Sequence, residues 1–388
     1  MKKRFFSAIF ATVLLTSFIG CSNNKAASDG DDTSNKAMKA SEYNSSFKAN
    51  AAVYKNLVTL PNYEGLEVSV DKSILDVTEE KVDEHINKIL SSFSTTEQVK
   101  EGVTESGDSI NLDFCGKLDG VAFAGGTATS TNYTIGSGGY IQDLDQGLIG
   151  LTVGQEYDIP CTFPENYKNS EMAGKDVIFT VTVNYISKTN IPVLTDEWIS
   201  SNKEAAGIKS NNITELKQET KDYLTESNQL EYDNKKYTEL MKKIVEGMTI
   251  TNYPEKELNS LIEVYKNNVK SEYEAYKDYY ASNGITDFNG YLANMGLSSE
   301  EEFEDYAKET SQEYLKNKMV VTIIAADNNI EVTETEIKEL GEEWAQYYGY
   351  DNYQGILDEY GDEMNCEVGF EVLYQKVQKL LIEKAVEV

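Results

Sequence analysis

One histidine, His85, and four cysteines, Cys21, Cys115, Cys161 and Cys366, are all the imidazole and thiol chemistry that this 388-residue chain can offer. Zinc sites built on several histidines are thereby excluded, and any Ser-His or Cys-His pair would have to recruit that one imidazole. No CxxC spacing occurs, so the thiols form no redox motif. The acidic run Asp29-Gly30-Asp31-Asp32 lacks the ligand spacing and the closing Glu of a calcium loop. Gly136-Ser137-Gly138-Gly139 has neither the Gly-Lys-Ser/Thr ending of a phosphate cradle nor a GxGxxG pattern, which leaves a backbone turn. No metal and no cofactor is expected.

Charge narrows the partners. Lys plus Arg number 35 against 66 Asp plus Glu, a formal charge of −31. Such a surface repels the phosphates of nucleic acid and disfavours docking on ribosomal RNA or a bare anionic bilayer. The first 21 residues read as a targeting segment: Lys2, Lys3 and Arg4, a largely apolar run over 5–19, then Gly20-Cys21. That ending resembles the lipobox of bacterial lipoproteins, with Phe18 where the box usually carries Leu. The resemblance implies a lipid on Cys21, a protein outside the cytoplasm and a membrane contact made through that lipid alone. An uncleaved signal anchor is the alternative, and it places the chain on the same side. With Cys21 lipidated, three thiols remain in an oxidising place. Cys161 shares a strand face with Tyr157, Ile159 and Phe163, whereas Cys115 lies opposite the face of Ile110, Leu112 and Phe114. Free thiols are therefore expected at 115, 161 and 366.

The elements that position any site follow from periodicity. At this length two or three domains are expected, and an apolar share of 40% with 5 Pro fits folded ones. Residues 22–56 are rich in Asn, Ser, Lys, Ala and Asp and read as a flexible tether. Residues 57–103 hold a strand near 66–70 and a helix, with Thr78 as N-cap and Val82, Ile86, Ile89, Leu90 and Phe93 on one face beside His85. Over 104–188 the period is two, with a tight turn at Asp119-Gly120 and a strand face of Val177, Phe179, Val181, Val183 and Tyr185. From 189 to 388 helical spacing takes over, near 213–247, 254–282, 298–328, 333–347 and 367–387, broken at Gly247, Pro254, Gly284, Gly296 and Gly349. Tyr273, Tyr276, Tyr279 and Tyr280 on this stretch suit either variable clients or helix packing. The fold class is α+β.

An ordered set of motifs occupies the middle segment: Ser106-Gly107-Asp108, Asp113-Phe114-Cys115-Gly116, Leu118-Asp119-Gly120, Phe123, Gly125-Gly126, Ile135-Gly136, Leu148-Ile149-Gly150-Leu151, Val153-Gly154, Phe163-Pro164-Glu165-Asn166-Tyr167 and Ala173-Gly174-Lys175. The set resembles the FKBP-type isomerase domain as it occurs inside bacterial trigger factor. Tyr63-Glu64-Gly65-Leu66-Glu67-Val68 is similar to the end of that family's N-terminal domain, and Leu194-Thr195-Asp196-Glu197-Trp198 with the helices after it to its chaperone body. The resemblance implies a curved antiparallel sheet with a short helix and an extended helical domain. It also implies isomerisation of X-Pro bonds in unfolded or nascent exported polypeptides. The family's basic ribosome-docking motif is not found, so no ribosome is expected among the partners.

By position, the resemblance places a proline-binding bowl at Phe114, Phe123, Tyr140, Ile141, Leu144, Tyr167 and Phe179. The Ile141 backbone N–H would face the carbonyl before proline, and Tyr167 would offer a hydroxyl. Two positions depart from the family: Ala124 replaces an acidic residue, and Leu144 replaces an aromatic floor. A holdase that binds clients without turning over X-Pro bonds is the alternative, and a lipoprotein receptor for a small solute ranks behind both.

Overall fold

Alternating and helical periods sort into two units in the computed structural model, which describes residues 39–388 except the side chains of residues 362 and 363. In chain order come α1 (Ala40–Lys55), β1 (Val58–Thr59), β2 (Glu67–Val68), a 3-10 turn at Lys72–Leu75, α2 (Glu79–Ser92) and β3 (Thr95–Val99). Next are β4 (Ser109–Leu118), β5 (Val121–Thr134), α3 (Gln142–Gly147), β6 (Glu156–Thr162), β7 (Asp176–Asn190), α4 (Asp196–Ala206) and α5 (Ile213–Gly247). The rest is β8 (Thr249–Ile250), α6 (Glu255–Ala275), α7 (Lys277–Ser282), α8 (Phe288–Asn294), α9 (Glu300–Asp327), α10 (Glu334–Tyr348), α11 (Tyr353–Lys384) and β9 (Val386–Glu387). Val77–Thr225 form one compact unit, and the described residues up to Asp76 form the other together with Glu226–Val388.

The sheet unit is built on β7, the strand whose apolar alternation is longest. All pairings are antiparallel: β4 lies along one edge of β7, β6 and β3 pair with it at its two ends, and β5 completes the order on β4. Ile110 and Leu112 of β4 and Val177, Phe179, Val181 and Val183 of β7 are buried, as period two predicts. The β4–β5 hairpin turns at Asp119 and Gly120, both at positive φ (51° and 81°). A two-residue turn of that hand matches the twist of the strands it joins. Further along β5 the register with β4 shifts, and Ser130, at φ 52°, donates its backbone N–H to Asp113 Oδ1 at 2.6 Å. Within the same unit Thr78 caps α2, its Oγ1 accepting from the Lys81 N–H at 3.2 Å. Val82, Ile86 and Leu90 pack with Ile199 of α4 and Leu216 of α5.

The helical unit is centred on α9, where Met319, Val320, Val321, Ile323, Ile324 and Ala325 are all buried. A helical stretch that is apolar on every side is a core stretch, and the acidic first turns of α9 lie outside it. β1 pairs antiparallel with β8 and β2 pairs parallel with β9, so the last residues of the chain are held by the segment near residue 67. Gly361, at φ 70° and ψ −158°, breaks α11 into two helical segments.

Two expectations are corrected. Residues 40–55, read as tether, form α1, with Tyr43, Phe47, Ala51 and Tyr54 buried along one stripe. A stripe one residue wide on a polar helix lowers mean apolarity to that of a linker, and only packing against the helical core reveals it. The compact units divide at 76/77 and 225/226, because the apolar faces of α2, α4 and the start of α5 close on one another. Cys115 and Cys161 are free as expected, but Cys366 is disulfide-bonded. The strand-face argument excluded only a Cys115–Cys161 pair and carried no information on Cys366. The signal segment 1–21 and the lipidation site Cys21 also lie outside the described residues, as does the rest of the tether up to residue 38. Among the described residues no helix is long and apolar enough to cross a membrane.

Candidate functional site

Strand alternation brings three of the seven candidate side chains to one face. Phe114 of β4 and Phe179 of β7 lie with ring centroids 5.8 Å apart, and Phe123 of β5 lies 5.9 Å from Phe179. Interplanar angles of 69° and 85° are edge-to-face, the arrangement that aromatic quadrupoles favour. Two glycines make room for the Phe123 ring. A Cβ on Gly116 would meet Phe123 Cζ at 2.5 Å and Phe179 Cε1 at 2.7 Å, and one on Gly126 would meet Phe123 Cε2 at 2.4 Å. Both separations are closer than carbon atoms allow, so the glycines are required by close approach.

The remaining candidates arrive on loops and on α3. Tyr140 lies 5.5 Å from Phe114. Tyr167 lies 4.6 Å from Phe163 at a tilt of 54°, and Phe163 is itself 5.9 Å from Phe123. Ile141 is the N-cap of α3, with extended backbone at φ −63° and ψ 148°. An N-cap N–H has no intrahelical acceptor, so it is available to a ligand. Leu144 is buried at the base of the cluster, at 2% exposure, while Tyr167 stands at its rim at 39%. Phe114, Phe123, Tyr140 and Ile141 are half-buried between them.

Six of the seven candidates thus share one connected apolar cluster, and Tyr167 joins it through Phe163. Two members were missed as site residues. Phe163, buried at the centre, was legible from its alternation with Ile159 and Cys161, but its packing role was not separable from a site role. Tyr133 stacks on Tyr140 at 3.9 Å and 22° and donates its hydroxyl to Asp145 Oδ1 at 2.5 Å. Nothing in the strand pattern signals that bond.

Electrostatically the site is quiet. Burial, and then the bond to Asp145, raise the Tyr133 hydroxyl above its ordinary pKa, and burial does the same for Tyr140. Burial, with the charge of Asp143 adding to it, pushes the nearby Cys161 thiol up to about 11, so it is no thiolate nucleophile at neutral pH. Ala124 leaves no acid beside Phe123. Such an arrangement can seat a small apolar ring, lower the local dielectric and offer a backbone donor; it has no group for a covalent step.

Elsewhere, His85 sits 5.0 Å from the Tyr223 ring, its pKa lowered by burial and by Lys88. The tyrosines of the helical unit divide: Tyr273 is buried among Tyr280, Phe288 and Tyr291, whereas Tyr276 and Tyr279 are exposed at 59% and 65%. Helix packing accounts for the first and not for the other two.

Comparison with known proteins gives two family matches: FKBP-type peptidyl-prolyl cis-trans isomerase over residues 101–184, and bacterial trigger factor C-terminus over residues 212–383. The trigger factor of Shouchella clausii is 30% identical over 333 residues, 85% of this chain and 73% of its own. That of Brevibacillus brevis is 30% identical over 336 residues, 86% and 72%. For the trigger factor of Staphylococcus epidermidis the identity is 31% over 288 residues, and the match spans 73% of this chain and 62% of that relative's length. A solved structure of the trigger factor chaperone matches 84% of this chain at 21% identity with a TM-score of 0.39, too loose a superposition to add to the fold described above.

Proposed function

We propose that this chain, which belongs to the trigger factor family, isomerises X-Pro bonds in unfolded exported polypeptides and holds those clients with its helical unit. Rotation about an X-Pro bond must break amide conjugation, a barrier of about 18–20 kcal/mol, and uncatalysed exchange takes tens of seconds. No nucleophile is needed to lower it. An enzyme gains rate by binding the twisted amide better than the planar one, and a dry aromatic seat with a donor for the carbonyl does that.

The observation that carries the reading is the edge-to-face set of Phe114, Phe123 and Phe179, seated by Gly116 and Gly126, in the segment that matches the isomerase family. In this reading Phe123 and Phe179 enclose the proline ring, the Ile141 N–H meets the preceding carbonyl, and Tyr167 closes the rim. Leu144, in place of an aromatic floor, lowers affinity by about 1 kcal/mol. A protease-coupled assay on an X-Pro peptide tests it: the purified chain accelerates exchange, and a rate equal to the uncatalysed one rejects isomerase activity.

The exposed Tyr276 and Tyr279 favour a second reading, a holdase that binds clients without turnover. Suppression of client aggregation that is unchanged in a chain without isomerase activity supports it. We place the protein outside the cytoplasm, where a disulfide at Cys366 persists, and apart from ribosomes; recovery of the chain in the cytoplasmic fraction would reject this placement.

A further inference from the structure

Asp145 is buried on α3, at 8% exposure, although a carboxylate there binds no client in the reading above. Sealing a charge away from water is costly unless charge-assisted hydrogen bonds compensate. Its Oδ1 accepts two, from the Tyr133 hydroxyl at 2.5 Å and from the Gly136 backbone N–H at 2.9 Å. Its own backbone N–H donates to the Ile141 carbonyl at 3.0 Å. One residue therefore holds both ends of the segment that runs from Gly136 to Ile141.

That segment needs holding. It contains Gly136, Gly138 and Gly139, the first two at φ 90° and 77°, so the free chain has much conformational entropy to lose there. It also delivers two of the proposed site groups, the Tyr140 ring and the Ile141 N–H. Tyr133, fixed by Asp145, is the surface on which the Tyr140 ring lies at 3.9 Å, and Tyr140 in turn meets Phe114 edge-on.

We infer that Asp145 is a positioning residue, which through Tyr133 and Gly136 fixes the Tyr140 ring and the Ile141 N–H against the client's X-Pro bond. The inference rests on the isomerase reading. Its physical basis is that a displacement of about 1 Å in a group acting on a transition state lowers a rate by up to about a hundredfold.

The test uses the whole chain and four variants: Tyr133→Phe, which keeps the ring and removes the donor; Asp145→Ala; the double variant; and Asp145→Asn, which keeps an acceptor oxygen. The readouts are kcat and KM on an X-Pro peptide, with near-ultraviolet circular dichroism of the stacked tyrosines. Expected are a loss of about three- to tenfold in kcat/KM for Tyr133→Phe, mostly in kcat, and a double variant no worse than Asp145→Ala. Asp145→Asn recovers most of the loss. Wild-type kcat/KM in Tyr133→Phe, or losses that multiply in the double variant, overturns the inference and leaves the isomerase reading standing. A wild-type chain that accelerates nothing overturns both. Should Asp145→Ala fail to fold, Tyr133→Phe beside Asp145→Asn still decides the matter.

Discussion

The two units treat aromatic rings and charges differently. In the sheet unit the rings of Phe114, Phe123 and Phe179 gather half-open on one face, with only Asp145 buried among the charged groups around them. In the helical unit rings such as Tyr43, Tyr54, Tyr237 and Tyr374 are buried beside carboxylates: Tyr54 donates to both oxygens of Glu257 at 3.0 and 2.8 Å, and Lys318 reaches Glu257 at 2.8 Å. One unit thus exposes an apolar hollow with little to titrate. The other packs buried tyrosines against carboxylates, an arrangement that responds to pH and to loss of a hydrogen-bond partner.

The contrast can be broken or sharpened by experiment, because Trp198 lies in the sheet unit and Trp344 in the helical one, so single-tryptophan variants report each unit separately. The largest effect is expected for Glu257→Ala, which removes the acceptor of the buried Tyr54 hydroxyl and one partner of the partly buried Lys318 ammonium. Losing charge-assisted hydrogen bonds from a buried hydroxyl and a partly buried ammonium costs about 3 kcal/mol, and urea unfolding followed at Trp344 shows it while isomerase activity at low temperature persists.

Next is Glu371, whose carboxyl is raised to about 7 by burial, against which the bond from Gln375 acts. Its folded pKa lies above its unfolded one, so the native state holds the proton more tightly and stability falls as pH rises from about 4.5 to about 7. Glu371→Gln removes that slope and is more stable than the wild type at pH 8 by on the order of 2–3 kcal/mol, with the advantage gone near pH 4.5. A pH-independent difference between the two proteins rejects the burial argument.

Phe123→Ala strips one wall from the hollow and should lower kcat/KM tenfold or more, about 1.4 kcal/mol, with aggregation suppression intact. Full activity shows that the hollow is not the seat. Smallest is Thr78→Ala, which removes the α2 cap and lowers the stability reported by Trp198 by about 1 kcal/mol, leaving the Trp344 transition in place.

Much of the architecture was legible because local chemistry and tertiary structure agree. The breaks at Gly247, Gly284 and Gly349 end helices where they were expected, the latter two at positive φ, whereas Gly296 ends α8, a short helix that the spacing did not signal. Asp119-Gly120 turns a hairpin, and Thr78 caps a helix. For the site, Gly116 and Gly126 stood in the motif order, and the structure supplies their reason in the Phe123 ring that they admit. Residues 40–55 were illegible because their one apolar stripe has no meaning until a partner covers it. The Tyr133–Asp145 bond was illegible because it joins a strand to a helix across a glycine loop whose path no periodicity encodes.

Alternation, caps, turns and breaks are near-neighbour properties, and by themselves they determined the strands, the long helices and the region that holds the aromatic cluster. Which helices close on which, where the chain divides, and which buried carboxylate steadies the loop beside the cluster were decided only in three dimensions. Those outcomes depend on desolvation and on contacts between residues far apart in the chain, and a buried charge or a half-buried ring has no local signature until its surroundings have formed.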